Sequence, residues 1–196
     1  MQYSGEAHPS ESGLIDRSRN GDGAAWESLV HTYQEPVFRL AYLFLGDADE
    51  AEDIAQETFL RAYRALDNFD TARPLKPWLL SIAANLARNR RRSMGRYLAA
   101  LKRLLRTEPE ATGRSVEEKQ ARRWEAQTLW QAIQHLNPND QQVVYLRYFL
   151  EMSTEEAAEV IGVPPGTVKS RLHRALTRLR GIIQRDFPGL QEGRQL

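Results

Sequence analysis

The fold is decided by the stretch Ser153-Thr-Glu-Glu-Ala-Ala-Glu-Val-Ile-Gly-Val-Pro-Pro-Gly-Thr-Val-Lys-Ser-Arg-Leu-His-Arg-Ala175. Ser153 is followed three residues later by Glu156, the spacing of a capping box, in which the two residues bond each other's backbone at a helix start. Gly162 suits the left-handed turn after that helix, because a residue without Cβ adopts positive φ at little cost. A second helix then opens at Pro164 or Pro165. The pattern predicts a helix-turn-helix.

The second helix of this pair presents side chains that suit DNA. Near its start they include hydroxyl and cationic groups, which can meet base edges in the major groove, and later turns add arginines for phosphates. A helical hairpin without a DNA role is the plainer alternative, but the cap, the turn and the cationic face all agree with DNA binding. The residues predicted to contact DNA are Thr167, Lys169, Ser170, Arg171, Arg174 and Arg178.

Outward from this motif, apolar residues recur at three- and four-residue steps, which predicts amphipathic helices. Three such stripes run over residues 26–44, 51–66 and 75–86, and Pro36 is expected to break or kink the first. Further helices are predicted over 121–136, 139–150, 154–161 and about 165–184, and no strand-period alternation of useful length occurs. We predict an all-α fold of two small helical domains joined by a flexible linker. The expected divisions are an N-terminal tail (1–21), a first helical domain (22–92), a linker (93–118), a helix-turn-helix domain (119–187) and a C-terminal tail (188–196).

Composition excludes several classes of protein. The 196 residues include no cysteine, which rules out a disulfide framework, a thiolate zinc site and a cysteine nucleophile. The first twenty residues contain Glu6, Glu11 and Asp16 but no apolar run, so a signal peptide is not expected, and no stretch of eighteen apolar residues could cross a bilayer. We therefore expect a soluble protein of the cytoplasm.

The net charge of +1 conceals a strong polarity. Residues 1–60 carry a net charge of −9 and the remainder carries +10. Two runs, 88–106 and 164–185, contain eight and six cationic residues and no carboxylate. A single run of this kind is often a solvated helix face, but two in separate regions favour a polyanionic partner.

Carboxylates crowd the start of the helix predicted over 51–66. Some of them suit the positive end of the helix dipole, but six exceed what one helix end needs. The six are Asp47, Asp49, Glu50, Glu52, Asp53 and Glu57.

These motifs together resemble the bacterial extracytoplasmic-function (ECF) sigma factors. The stretch from Gly162 to Arg180 resembles the helix of that family that reads the promoter −35 element. Asp49-Glu-Ala-Glu-Asp-Ile-Ala-Gln-Glu-Thr-Phe-Leu-Arg-Ala-Tyr resembles the segment that docks on the clamp helices of RNA polymerase, and Trp78-Leu-Leu-Ser-Ile-Ala-Ala-Asn-Leu-Ala-Arg-Asn-Arg-Arg-Arg resembles the −10 helix. The resemblance covers about residues 22–185, nearly the whole chain, with the three motifs in the family's order.

The resemblance implies a sigma region 2-like bundle, a sigma region 4-like helix-turn-helix, and partners that include core RNA polymerase, promoter DNA and an anti-sigma factor. It implies that polymerase meets Glu52, Asp53, Gln56 and Glu57. It implies that a flipped base enters the loop 68–73 and that the −10 element is contacted by Asn68, Asp70, Thr71, Arg73, Asn85, Arg88, Arg91 and Arg92. The loop Thr71-Ala-Arg-Pro-Leu-Lys-Pro departs from the Phe-Arg-Gly-like stretch of many members, so base specificity does not carry over. Trp78 is expected in the core.

Other functions fit the sequence less well. We expect no enzyme, cofactor or metal site, because the histidines lack ligand spacing and no glycine-rich phosphate loop occurs; they are His8, His31, His135 and His173. A recombinase would need strands and a nucleophile that the first half does not offer. The remaining alternative is a stand-alone helix-turn-helix regulator with a helical sensor domain. Promoter binding that depends on polymerase would distinguish a sigma factor from it.

Overall fold

A computed structural model describes residues 10–104 and 128–187, with side chains described over 10–93 and 128–187. The described residues form helices and their connections. They divide into two compact units, with the principal boundary between Arg91 and Arg92. The all-α fold with two helical domains is thereby confirmed, and no described helix is both long and apolar enough to cross a membrane.

The first unit is built from α1 (Glu11–Arg19), α2 (Gly23–Leu45), α3 (Ala48–Ala65), a short 3-10 turn (Leu66–Asn68) and the start of α4 (Leu75–Leu104). Helix α1 lies within the segment predicted as a tail, of which residues 1–9 lie outside the described residues. It forms because Ser10 caps its first turn and Ile15 is buried. The last residue of α2 is followed by Gly46 at φ 73°, a left-handed position that favours glycine.

Helix α2 continues through Pro36, so the expected break does not occur, and a kink at Pro36 stays a prediction. A proline inside a helix costs about 3 kcal/mol, because it removes one backbone hydrogen bond and crowds the preceding turn. The residues that follow it bury a continuous apolar stripe against the neighbouring helices, which offsets that cost. The stripe consists of Val37, Leu40, Ala41 and Phe44.

The structure also differs from the predicted linker, residues 93–118, at its start. Helix α4 continues to Leu104, twelve residues past the expected end of the first domain. The rest of the predicted linker, residues 105–118, and the start of the second domain, 119–127, lie outside the described residues, as does the predicted tail 188–196. The division at 93 and 118 therefore stays a prediction.

The second unit contains α5, described over 128–134, α6 (Pro138–Val144), a π-helical turn (Tyr145–Phe149), α7 (Thr154–Ile161) and α8 (Pro165–Asp186). The predicted capping box is present: Ser153 Oγ accepts from the Glu156 N–H at 3.0 Å, and Glu156 accepts from the Ser153 N–H at 2.7 Å. Gly162 takes φ 73°, as predicted for the turn. The core of the second unit includes Tyr145, Leu146, Ala157, Val168 and Ala175.

Candidate functional sites

The acidic surface is the outer face of α3 formed by Glu52, Asp53, Gln56 and Glu57. Asp47 serves as the N-cap of this helix and accepts the Glu50 N–H at 2.9 Å, so one of the six carboxylates has a capping role. The side chain of Asp53 is 66% exposed. Glu57 is half-buried and pairs with Arg61 at 2.7 Å, one turn along the same helix. The structure therefore places all four predicted residues together on one face.

An apolar groove of about 750 Å³ lies between α2 and α3, alongside the acidic surface. Leu60 and Tyr63 line it and are about half exposed, and Trp26 packs against Tyr63 with ring centroids 5.1 Å apart. Glu52 and Gln56 form part of its wall. The full lining is Trp26, Val30, Gln34, Glu35, Phe38, Glu52, Ala55, Gln56, Phe59, Leu60 and Tyr63.

Sequence reasoning missed this groove because it assigned Trp26 and Val30 to the buried stripe of α2, whereas both are half-buried. A signal was available: the apolar residues of α2 and α3 outnumber those that one stripe on each helix can bury. Such a surplus places apolar side chains at the margin of the contact, where they stay open to a partner.

Arg90 of α4 pairs with carboxylates of α3. Its Nε lies 2.9 Å from Glu50 Oε2, and its Nη2 lies 3.7 Å from Asp53 Oδ2. From charge alone we predicted phosphate contacts for the run Arg90 to Arg92; the structure shows Arg90 paired with carboxylates of α3, and the phosphate contacts of the run stay a prediction. Since successive helical residues are 100° apart, Arg90 points away from the face on which Arg88 and Arg92 lie.

The opposite face of α4 carries the predicted −10 contacts. Asn85, Arg88 and Arg92 follow each other at three- and four-residue steps, which places them in one row. Arg88 donates to Asn85 Oδ1 at 2.5 Å and to the Ala84 carbonyl at 3.3 Å, so the two side chains are held beside each other. Arg91 is half-buried next to this row, and Arg92 is exposed.

The loop 68–73 connects the 3-10 turn to α4 and exposes Asn68, Asp70, Thr71 and Arg73. Asp70 shapes it, because its Oδ1 accepts the Ala72 N–H at 3.0 Å and its carbonyl accepts the Arg73 N–H at 3.0 Å. Inside the loop, Phe69 is buried and packs on Trp78 with ring centroids 4.7 Å apart. Trp78 was expected in the core but is half-buried, so it packs against Phe69 at the margin of the core.

Helix α8 buries Val168, Ala175 and Leu179 and turns its polar residues outward. Lys169, Ser170 and Arg174 are exposed, and Thr167 and Arg171 are half-buried at the margin of the packed stripe. Ser170 Oγ donates to the Thr167 carbonyl at 3.1 Å, which leaves its lone pairs facing solvent. The first two turns of α8 thus present hydroxyl, amino and guanidinium groups on one accessible surface.

Arg178 differs from the other predicted −35 residues. Its Nη1 forms an ion pair with Asp140 Oδ2 of α6, and that carboxylate is only 5% exposed. Asn137 supports the same carboxylate by donating to Oδ2 at 2.8 Å. Arg178 therefore has a structural contact that sequence reasoning did not anticipate, since α6 lies 38 residues earlier in the chain.

Over residues 10–104 and 128–187, no group of three or more His, Cys, Asp or Glu side chains is arranged to hold a metal ion.

Two family models match the chain. The model described as Sigma-70 region 2 matches residues 29–97, and the one described as Sigma-70, region 4 matches residues 126–179. The matched segments contain the acidic surface, the loop 68–73 and the helix-turn-helix.

Curated relatives match along most of both sequences. The ECF RNA polymerase sigma factor SigW of Bacillus subtilis (strain 168) is 36% identical over 173 residues, which cover 85% of this chain and 92% of SigW. The RNA polymerase sigma-H factor of Pseudomonas aeruginosa is 36% identical over 178 residues, covering 87% of this chain and 92% of that protein.

Solved structures also match most of the chain. CnrH in complex with the cytosolic domain of CnrY matches with a TM-score of 0.67 at 25% identity, covering 90% of this chain and 98% of CnrH. RpoE of Bartonella quintana in complex with the anti-sigma factor NepR matches with a TM-score of 0.60 at 25% identity, covering 82% and 97%. The order of region 2 and region 4, the likeness to curated relatives and the shared fold lead to one conclusion: this chain belongs to the ECF sigma factors of bacterial RNA polymerase.

Proposed function

We propose that three separate surfaces of this sigma factor carry out promoter-directed initiation: the acidic surface docks core RNA polymerase, the loop 68–73 and the exposed row of α4 engage the −10 element, and α8 reads the −35 element. The observation that carries the proposal is the separation of charge in the described chain. Carboxylates gather on α3, whereas cations gather on α4 and α8. A stand-alone regulator is not favoured, because it would not need a region 2.

For polymerase docking, the acidic surface and the apolar groove act as one interface. The carboxylates steer a basic partner surface and set its orientation, and the groove offers apolar area whose burial supplies affinity. Leu60 and Tyr63 are exposed large apolar residues in the lining of the groove, and aromatic residues are frequent hot spots in interfaces. The expected occupant is a helical segment of polymerase with basic and apolar side chains.

For the −10 element, we assign base contacts to the loop and phosphate contacts to α4, according to the chemical groups that each presents. The loop supplies the Asn68 amide and the Thr71 hydroxyl, groups that can bond the edge of an extruded base. The arginines of α4 supply phosphate contacts, which bind without sequence preference and release counterions. Asn85, whose amide oxygen accepts from Arg88, lies on the same row as these arginines.

For the −35 element, Lys169, Ser170 and Arg171 lie near the start of α8, where an inserted helix approaches base edges. Arg174 follows one turn later and suits a phosphate. Arg171 is the residue proposed to read sequence, because a guanidinium can bond guanine O6 and N7 together.

The proposed partners are core RNA polymerase, promoter DNA and an anti-sigma factor. The last follows from the solved relatives: RpoE was captured with the anti-sigma factor NepR, and CnrH with the cytosolic domain of CnrY. We propose that the chain acts in the cytoplasm as an initiation factor without catalytic activity of its own and without a cofactor.

The test of function is transcription in vitro from a genomic promoter library, with core polymerase, the chain alone, and both together. We expect specific transcripts and promoter footprints only when both are present. A specific footprint from the chain alone, unchanged by polymerase, would support the stand-alone regulator instead.

The test of docking is the double substitution Asp53→Lys and Glu57→Lys, which reverses charge at two positions one turn apart. Core binding should weaken at least tenfold, because cations then face a basic partner surface. The matched control is Glu155→Lys with Glu159→Lys, exposed residues of α7 at the same spacing. Equal core affinity for the double variant and its control would refute the docking assignment.

A further inference from the structure

Helix α1 forms hydrogen bonds with the backbone at both ends of the loop 68–73. At the leading end, Arg19 Nε donates to the Leu66 carbonyl at 3.1 Å, and Arg19 Nη2 donates to the Phe69 carbonyl. One guanidinium therefore bonds two carbonyls on either side of Asn68. Its side chain is 24% exposed, so these bonds are largely shielded from water.

At the trailing end, the same helix uses Glu11. One carboxylate oxygen accepts the Leu75 N–H, the first of α4, at 3.1 Å. The other accepts the hydroxyl of Tyr33 from α2. Glu11 thus anchors the point at which the loop becomes α4, and Tyr33 holds Glu11 in place.

Between these anchors the loop has little packing of its own. Phe69 is its buried side chain, whereas the residues from 70 to 74 are exposed. The path of the exposed backbone therefore depends on where its ends are held. A guanidinium suits this task because its planar fork presents several donors in fixed directions and stays charged at every physiological pH.

We propose that Arg19 is a positioning residue for −10 recognition: it fixes the backbone on both sides of Asn68 and thereby sets the base preference of the loop without contacting DNA. The inference rests on the proposed assignment of the loop to an extruded base. Neither of the two matched regions includes Arg19, since the first begins at residue 29.

A purely architectural role predicts a different outcome. If Arg19 only stabilised the first unit, its loss would lower the amount of active protein and reduce transcription from every promoter alike. A positioning role predicts a change of preference at one −10 base, because displaced hydrogen-bonding groups lose discrimination while the rest of the protein still works.

The experiment uses the full chain with core polymerase and two promoter libraries, one randomised in the −10 element and one in the −35 element. Arg19→Gln should reduce discrimination at one −10 position about tenfold, the worth of roughly one good base contact, and leave the −35 profile unchanged. Arg19→Lys, which keeps the charge but not the fork, should recover part of it. The matched control is Arg17→Gln on the same helix, whose ion-pair partner is the half-buried Asp22 at the start of α2 and not a group of the loop.

The variant Asn68→Ala distinguishes a failure of the positioning role of Arg19 from a failure of the proposed loop function. If Asn68→Ala changes the −10 profile and Arg19→Gln keeps the parental one, the positioning role is wrong and the loop assignment stands. If Arg19→Gln lowers yield in both libraries with parental preferences, Arg19 is architectural and the inference is overturned. If neither Asn68→Ala nor Thr71→Ala changes the −10 profile, the loop assignment fails and the inference fails with it.

Discussion

Arg178 of α8 forms an ion pair with Asp140 of α6, whose carboxylate is almost fully buried. The pair joins the helix proposed to read DNA to the helix that supports it. It also changes what a substitution at Arg178 would report, since loss of the guanidinium removes a structural partner as well as a cation that could meet phosphate.

Arg178→Ala should therefore destabilise the second unit. It leaves a buried carboxylate without its cation, which costs about 1–3 kcal/mol for a group that keeps one other hydrogen bond. The measurement is hydrogen exchange of α6 and α8 in the full chain, which should quicken relative to the parent.

The control for that substitution is Arg174→Ala, an exposed residue of the same helix, which should change stability by less than about 0.5 kcal/mol. Adding Asp140→Asn to Arg178→Ala should restore part of the lost protection, because the unpaired charge is then removed. Parental exchange in Arg178→Ala would show that the pair contributes nothing.

Arg171→Ala should alter sequence preference. If Arg171 bonds guanine through both terminal nitrogens, its removal costs about 1–3 kcal/mol on the best −35 sequence and relaxes preference at that position. The measurement is transcription from a library randomised in the −35 element. Arg180→Ala, exposed further along α8, is the control and should weaken all sequences about equally. Identical preference for Arg171→Ala and the parent would remove Arg171 from base reading.

Arg92→Ala and Arg90→Ala should differ in salt dependence, although both remove one arginine from the same turn of α4. Arg92 is exposed on the row with Asn85 and Arg88, so its loss should reduce the slope of log affinity against log salt by about 0.7–0.9, the value of one phosphate contact. Arg90 is bound to Glu50 and Asp53, so its loss should leave the slope near the parental value. Open-complex formation from 50 to 200 mM salt provides the measurement. Equal slopes for the two variants would contradict this assignment.

Tyr33 should make stability fall at alkaline pH. Burial raises the pKa of its hydroxyl above the usual value near 10, and the neighbouring Glu11 carboxylate raises it further. A raised pKa in the folded state means that the stabilisation is fully present below about pH 10 and is lost as pH rises beyond it. Unfolding free energies from pH 8 to 11, together with tyrosine absorbance at 295 nm, check this. Tyr33→Phe should show a flatter decline over that range. A decline as steep as the parent's would mean that another group causes it.

The sequence by itself determined the local structure of the helix-turn-helix. Ser153, Glu156 and Gly162 act within one or two helical turns, so their spacing along the chain is also their spacing in space, and the capping box and left-handed turn lie where predicted. The acidic surface was predictable for the same reason, because residues three and four apart on α3 must share a face.

Only the tertiary structure decided the contacts between distant segments. The pairing of Arg178 with Asp140, of Arg90 with Glu50, and of Arg19 with the loop carbonyls joins residues 38, 40 and about 50 positions apart. Charge patterning shows that such side chains are cationic but not which of them face a carboxylate inside the molecule. The packing of helices determines that, because it alone sets which helix faces meet and which remain open to DNA and to polymerase.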